Sequence, residues 1–397
     1  MKSLPLILGF LLLFAVEILR VYFIMPFPGS QKADTIGIAY FIARNIFWLR
    51  VLALLLLAYP FWQTIRQDKL WKKLVVITVA AFYCFVFFKF NYRFEADKMF
   101  YQPEHKSFAA GAANTIRQDK LVIGVEINGQ AKAYPIQIIG YHHQVRDTLG
   151  NTPVMITYCT VCRTGRVYSP FVNGKAETFR LVGMDHFNAM FEDATTKSWW
   201  QQATGEAIAG SLKGTALKEI PSQQLTLSAW LQQHPSSTVL QPDTIFNKDY
   251  KDLADFDKGT VKSSLEKRDS GSWKNKSWVV GVATAKASKA YDWNDLVKQG
   301  IINDSIGGQA IVLVLEKDST SFHVWKRMMV GKKAITFTRN VETNTLTDAG
   351  TRSVWNMNGV CVEGSLTGLQ LETTQSYQEF WHSWKYFHSG TLIYKKD

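Results

Sequence analysis

The stretch GEAIAGSLKGTALKEIPSQQLTLSAWLQQHPSSTVL (residues 205–240) returns without gaps as GVCVEGSLTGLQLETTQSYQEFWHSWKYFHSGTLIY (359–394). The shared skeleton is G-x4-G-S-L-x-G-x2-L. It is followed by Trp230 or Trp384, by His234 or His388 four residues on, and by Ser237 or Thr391 three residues later. Upstream, D-A-x-T-x-S-x-W occurs at 193–200 and again at 348–355. Earlier still, LVIGVEINGQAKAY (121–134) matches WVVGVATAKASKAY (278–291). The pieces keep their order, as expected of a duplicated structural unit. The chain therefore reads as an N-terminal segment 1–97, a first repeat unit within 98–240, a polar linker 241–271, and a second, degenerate unit within 272–397.

Each unit reads as mainly antiparallel β with short helices. Asn128-Gly129 between apolar alternations is a strong hairpin signal. A second hairpin is expected from 166–172 and 175–182 about Asn173-Gly174, and 153–157 reads as a buried strand. The segments 225–233 and 376–387 have the pattern of short amphipathic helices closing each unit. The stretch 241–271, rich in Lys, Asp and Ser, reads as a solvated connection. His234 and His388, matched at helix ends, read as structural, and so do Trp199, Trp200 and Trp355. Cys361 aligns with Ala207 and reads as a packed thiol.

Ahead of the repeats lie three apolar stretches, 4–27, 36–62 and 74–90, each near the ~20 residues needed to cross a bilayer core. The first is too long, and lacks a following small-x-small site, for a cleaved signal peptide with Lys2 as its charged start. The expected fold class is a membrane-anchored α+β protein: three transmembrane helices, then a tandemly duplicated, mainly antiparallel-β domain. Arg66, Lys69, Lys72 and Lys73 follow the second helix, whereas only Lys32, balanced by Asp34, follows the first. The positive-inside rule then puts the N-terminus in the cytoplasm and the repeats outside it, in the plasma (inner) membrane of a cell with a periplasm. Within the helices, Glu17 is expected to pair with Arg50, and Arg20 and Arg44 to reach toward the interface. Cys84 reads as a small packing residue.

The formal charge of +12 invites a nucleic-acid reading. Residues 1–97 hold 11 Lys/Arg and 5 Asp/Glu, a net +6, which leaves only +6 over the remaining three hundred residues. No dense basic run occurs there, so the expected partner is the bilayer and not DNA or RNA.

The feature with chemistry is Cys159-Thr-Val-Cys162, in MITYCTVCRTGRVY, and the second unit lacks it: its matching stretch is VLVLEKDSTS. The pair follows an apolar strand and precedes another. No helix long enough for a thioredoxin-like dipole effect can follow. Three chemistries suit the spacing. Redox thiols fit a lone pair outside the cytoplasm. A metal knuckle would need imidazoles such as His143 or His186 beside the two thiolates, a donor set for copper or zinc. An inert pair or a small structural bridge is the third.

The run AYPIQIIGYHHQVRDTLGNTPVMITYCTVCRTGRVY (133–168) resembles an uncharacterised bacterial and archaeal family, catalogued as a domain of unknown function. Its members look like YP-x-x-I-L-x-x-H-E-I-V-N-D followed by V-T-Y-C-P-L-C-G. LVGMDHFNAMFEDATTKSWWQQATGEAIAGSLKGTAL (181–217) fits the same family. Some members carry selenocysteine in the cysteine motif, which implies redox chemistry. The resemblance points to His143, Cys159, Cys162 and Asn188 as site residues, Asn188 as a cofactor-binding candidate. Gln144 departs from the family Glu, and Thr160-Val161 from Pro-Leu.

The leading expectation is thus an extracytoplasmic thiol redox domain of thiol-disulfide oxidoreductase type. Cys159 and Cys162 would cycle, and His143 would assist proton transfer, with a membrane redox partner. The first alternative is a copper- or zinc-binding module using Cys159, Cys162, His143 and His186. The second is a non-catalytic scaffold for a membrane partner.

Overall fold

The three apolar stretches fold as helices α1 (Ser3–Tyr22), α2 (Ile36–Gln67) and α3 (Leu70–Tyr92), each long and apolar enough to cross a membrane. The computed structural model describes residues 3–330 and 333–396; Lys2 lies outside them. Helix α2 outruns its apolar stretch because nothing in QTIRQ (63–67) breaks a helix, and α3 starts four residues early for the same reason. Glu17 is fully buried and accepts from Arg50 Nε at 2.7 Å and Nη2 at 2.8 Å, so the intramembrane charge is paired. Asn91 and Tyr83 complete its shell. Arg20 pairs with Glu95, just past the end of α3, and donates to Asn91. Cys84 lies exposed on the surface of α3 rather than packed.

By its contacts the chain forms two units, Met1–Tyr101 with Glu177–Ala216, and Gln102–Ala176 with Leu217–Asp397. The first contains the helices and a four-stranded antiparallel sheet: Phe179–Asp185, Asn188–Asp193, Trp199–Gln201 and Ala207–Ala209. The sheet meets the helical segment closely. Met184 N–H donates to Ile24 O at 2.7 Å, and a Cβ at Gly183 would lie 2.3 Å from that same carbonyl. Tyr40 of α2 meets the Trp199 ring edge-on at 5.1 Å.

The second unit holds two sheet pairs of matching topology. In spatial order, Thr238–Leu240, Gln130–Pro135, Leu121–Ile127 and Gln223–Thr226 correspond to Leu392–Ile393, Ser288–Asp292, Trp278–Ala283 and Ser376–Phe380. In both sheets the short strand Thr238–Leu240 or Leu392–Ile393 runs parallel to Gln130–Pro135 or Ser288–Asp292 and the other pairs are antiparallel, Phe108–Ala109 adding a fifth, antiparallel strand to the first sheet. The three-stranded sheet Gln144–Leu149, Thr152–Cys159, Thr164–Tyr168 likewise has a counterpart in Ile301–Ile306, Gln309–Leu315, Phe322–Lys326. The fold is α+β with mainly antiparallel sheets.

Short helices cap the strands: α4 (Ile136–His142), α5 (Leu227–Gln233), α6 (Asn247–Asp252), α7 (Trp293–Gln299) and α8 (Trp381–Phe387). The helical pattern expected over 225–233 and 376–387 begins later than read. Its first residues are strand, and α5 starts only where the Thr226 side chain accepts from Ala229 N–H. The second expected hairpin is also shorter. Pro170 cannot donate to a ladder, so the strand from 164 stops at Tyr168, and only Phe171–Val172 and Lys175–Ala176 pair about Asn173-Gly174.

The repeated Gly, Trp and His residues form one packing device. A Cβ at Gly124 would meet the Trp230 ring at 2.2 Å, and one at Gly281 the Trp384 ring at 2.2 Å. Each indole stacks on its histidine, His234 at 4.0 Å and His388 at 3.6 Å, and donates to Ser237 or Thr391. D-A-x-T-x-S-x-W is a second such device. Asp193 and Asp348 each accept from the following Thr and from the Trp200 or Trp355 indole. Cys361 is buried. The 241–271 stretch is folded despite its composition, with Tyr250, Phe256 and Val261 all buried.

Candidate functional site

Cys159 ends the strand Thr152–Cys159, and Thr164 opposite it opens the next strand, so Thr160, Val161, Cys162 and Arg163 form the connecting turn. Arg163 takes the left-handed conformation, φ 55°, that tight turns demand and that is costly away from glycine. Neither cysteine is in a disulfide, and both are fully buried. Cys162 hydrogen-bonds to Cys159 and to Ser383, and burial pushes its thiol pKa well up, opposed by Ser383 and the Lys276 charge.

The second repeat encloses this turn. Phe380 N–H, at the start of α8, donates to Cys162 O at 3.0 Å. Lys276 Nζ donates to Val161 O at 2.6 Å, and His382 Nε2 lies 3.2 Å from the same oxygen and 3.3 Å from Nζ. Burial lowers the Lys276 pKa, and burial together with the Lys276 charge brings His382 down to about 4. Two side chains from 241–271 also take part: Thr160 Oγ1 donates to Glu266, and Phe256 packs edge-on against Tyr158 at 5.8 Å.

Two arginines after the cysteines tie the turn down. Arg163 is buried between Trp278 (3.9 Å) and Phe256 (5.0 Å) and donates to Gln378 Oε1 at 2.8 Å. Arg166 pairs with Glu379 at 2.5 Å, both essentially inaccessible, and lies 3.4 Å over the Tyr377 ring. That carboxylate raises the Arg166 pKa against the cost of burial.

His143 caps α4 with φ 58°, and its Nδ1 lies 2.9 Å from Tyr158 O, one residue before Cys159. The cap of the equivalent helix α7 is Gly300, φ 70°. The backbone bond Tyr158 N–H to His143 O (2.9 Å) recurs as Leu315 N–H to Gly300 O (2.9 Å). A histidine thus occupies a position that the copy fills with glycine, and burial lowers its pKa. His186 and Asn188 belong to the other unit. There His186 Nδ1 pairs with Asp185 at 2.7 Å. The fully buried Asn188 donates to Gln202 and accepts from Ala203 N–H. Among the described residues no group of three or more His, Cys, Asp or Glu side chains is arranged to hold a metal ion.

Residues 100–391, which include the turn, match a family model described as "Protein of unknown function (DUF3179)". The chain belongs to this family. Comparisons with curated proteins and with solved structures return no match. The DUF3179 match runs through both repeats, so Lys276, His382 and Ser383 lie within it alongside the cysteines. Sequence reading passed over those three. The signal for them was the repeat itself: Lys276 falls where the first copy has Asp119, and Ser383 where it has Ala229.

Proposed function

We propose that this DUF3179 protein is a membrane-anchored thiol redox domain in which Cys159 and Cys162 interconvert between dithiol and disulfide. The observation carrying the reading is the pair of mutually hydrogen-bonded cysteines, not in a disulfide, in one copy only, enclosed by Lys276, His382 and Ser383 of the other. Packing alone does not call for a buried cation beside two thiols, whereas a thiolate formed during exchange does. A turn between antiparallel strands also keeps the two sulfurs close in both states.

In this role Lys276 offsets the cost of burying a thiolate, while His382 beside it stays neutral. His143 holds the strand end and contributes position. The repeats are read as extracytoplasmic from the Arg66, Lys69, Lys72 and Lys73 loop, where disulfide chemistry persists.

The test uses full-length protein in detergent with Cys84 replaced by Ser. Equilibration against a thiol/disulfide buffer, with alkylation and mass measurement, should show two thiols lost together in wild type. Neither Cys159→Ser nor Cys162→Ser should show this paired loss. A Cys159→Ser protein that titrates like wild type removes the proposal.

A further inference from the structure

A cleft of about 710 Å³ opens beside the cysteine turn, lined among others by Lys267, Arg268, Lys274, Lys276, Asp269 and Trp273. Four cations face one carboxylate there. Lys267 and Lys274 are exposed, and Arg268 and Lys276 are half-buried. The ion pairs of the described residues involve other cations: Arg117, Lys120, Lys258 and Lys289 pair with aspartates, but none of these four does. Arg268 reaches Asn294 and the Trp278 ring, with Asp292 the nearby carboxylate acting on its charge. The nearby Glu266 accepts from Thr160 and acts on the Lys276 charge, so the cleft's cations still outnumber its carboxylates. Lys276 is the shared wall: it lines the cleft, and its Nζ donates to Val161 O between the two cysteines.

Resting on the redox reading above, we infer that the exchange partner of the cysteine pair is a small anionic disulfide drawn in by this cleft, not a protein disulfide. Both sulfurs are fully buried, so exchange with any partner requires the turn to open, and a molecule held in the cleft is already beside Lys276 when it does. A molecule that fits the cleft reaches the Lys276 wall directly. Fixed positive charge in a concave site raises the local concentration of anions and their arrival rate.

The chemistry balances. One cysteine thiolate attacks a sulfur of the small disulfide, forming a mixed disulfide and expelling one small thiolate. The other cysteine then attacks the protein sulfur of that mixed disulfide, closes the Cys159–Cys162 bond and expels the second. The two protons given up by the cysteines end on the two released thiols. The small disulfide gains the two electrons that the cysteine pair loses.

The experiment compares three small disulfides of similar size, carrying two carboxylates, two hydroxyls or two ammonium groups, with the reduced full-length protein in neutral detergent. Rates are normalised to those of a free model dithiol. The dicarboxylate is expected to react fastest and the diammonium slowest, with the spread narrowing as salt is added. In the Lys267→Glu/Lys274→Glu double variant the dicarboxylate-to-neutral rate ratio should fall about tenfold. A ratio equal to the model dithiol's and unchanged by the double variant overturns the anion selectivity while leaving the redox pair standing. A disulfide-bonded protein that oxidises the pair faster than all three also overturns it. No paired thiol loss with any of the three, or with a strong chemical oxidant, overturns the redox reading itself.

Discussion

The turns 159–164 and 316–321 occupy the same place in the two copies. Tyr158 pairs with Gly165, and Leu315 with Phe322, leaving connections of equal length. Their contents differ completely. Where the first turn starts with Cys159, the second starts with Glu316, hydrogen-bonded to His323 at 2.6 Å, and His323 stands on the rung that Arg166 fills in the first copy. The contacts made outward are nevertheless reciprocal. The first turn receives Phe380 N–H from the start of α8, and the second offers Ser321 Oγ to Thr226 N–H at the start of α5, at 2.9 Å. Duplication has kept the docking geometry and let the chemistry drift apart. A position that differs within a retained framework is where function is to be sought, and the framework itself supplies the control.

The sharpest way to break the comparison is the buried pair on the differing rung. Glu379→Ala removes the near carboxylate of buried Arg166 and leaves the more distant Glu219, at 3.8 Å. It is expected to lower unfolding free energy by about 3–5 kcal/mol in denaturant titration. A loss below about 1 kcal/mol would mean that the pair is solvated and that the rung does not distinguish the copies.

The shared device should respond equally in both copies. Gly124→Ala and Gly281→Ala each drive a methyl into an indole ring and should each cost about 1–3 kcal/mol. Unequal losses would show that one copy has relaxed its packing.

The helix caps give a smaller contrast. At His143, alanine must adopt φ 58° where glycine does so freely, so His143→Gly should be about 1 kcal/mol more stable than His143→Ala. Equal stability would imply that the turn rearranges.

The smallest effect is in acid. Thr351, Trp355 and Ser353 hydrogen bonds, set against burial, hold the Asp348 carboxyl below its usual range. A depressed folded pKa means that its contribution is complete above about pH 4, the unfolded value, and is lost as pH falls through the folded one. Asp348→Asn should flatten that part of the acid-stability curve and leave its neutral slope alone.

Much of this was legible in the sequence. The helices, the Asn128-Gly129 hairpin, the Glu17–Arg50 pair and the matched Trp-His devices follow from local periodicity or from the repeat. Asn128 and Gly129 do take positive φ. The turn after the strand was equally plain, since no helix could follow Cys162. What escaped depends on contacts that no local pattern encodes. Lys276 reaches the turn from 115 residues away, and Arg166 finds Glu379 across 213. The 241–271 stretch misled by composition: its Lys and Asp are mostly at the surface, while Phe256 and Tyr250 turn inward. Pro170 could have shortened the second hairpin had its missing donor been weighed.

One feature of the membrane-side unit bears on how such proteins can be rearranged. Met184 N–H bonds to Ile24 O, Gly183 has no room for a side chain there, and Phe187 N–H donates to Gln31. The strand Phe179–Asp185 is therefore fitted to the backbone that follows α1. The anchor is not an interchangeable tether. Grafting the repeats onto a foreign transmembrane segment, or cutting at residue 98 to obtain a soluble fragment, would strip that strand of a surface it was built against. Fusions that preserve residues 24–40 should remain well behaved where shorter ones precipitate.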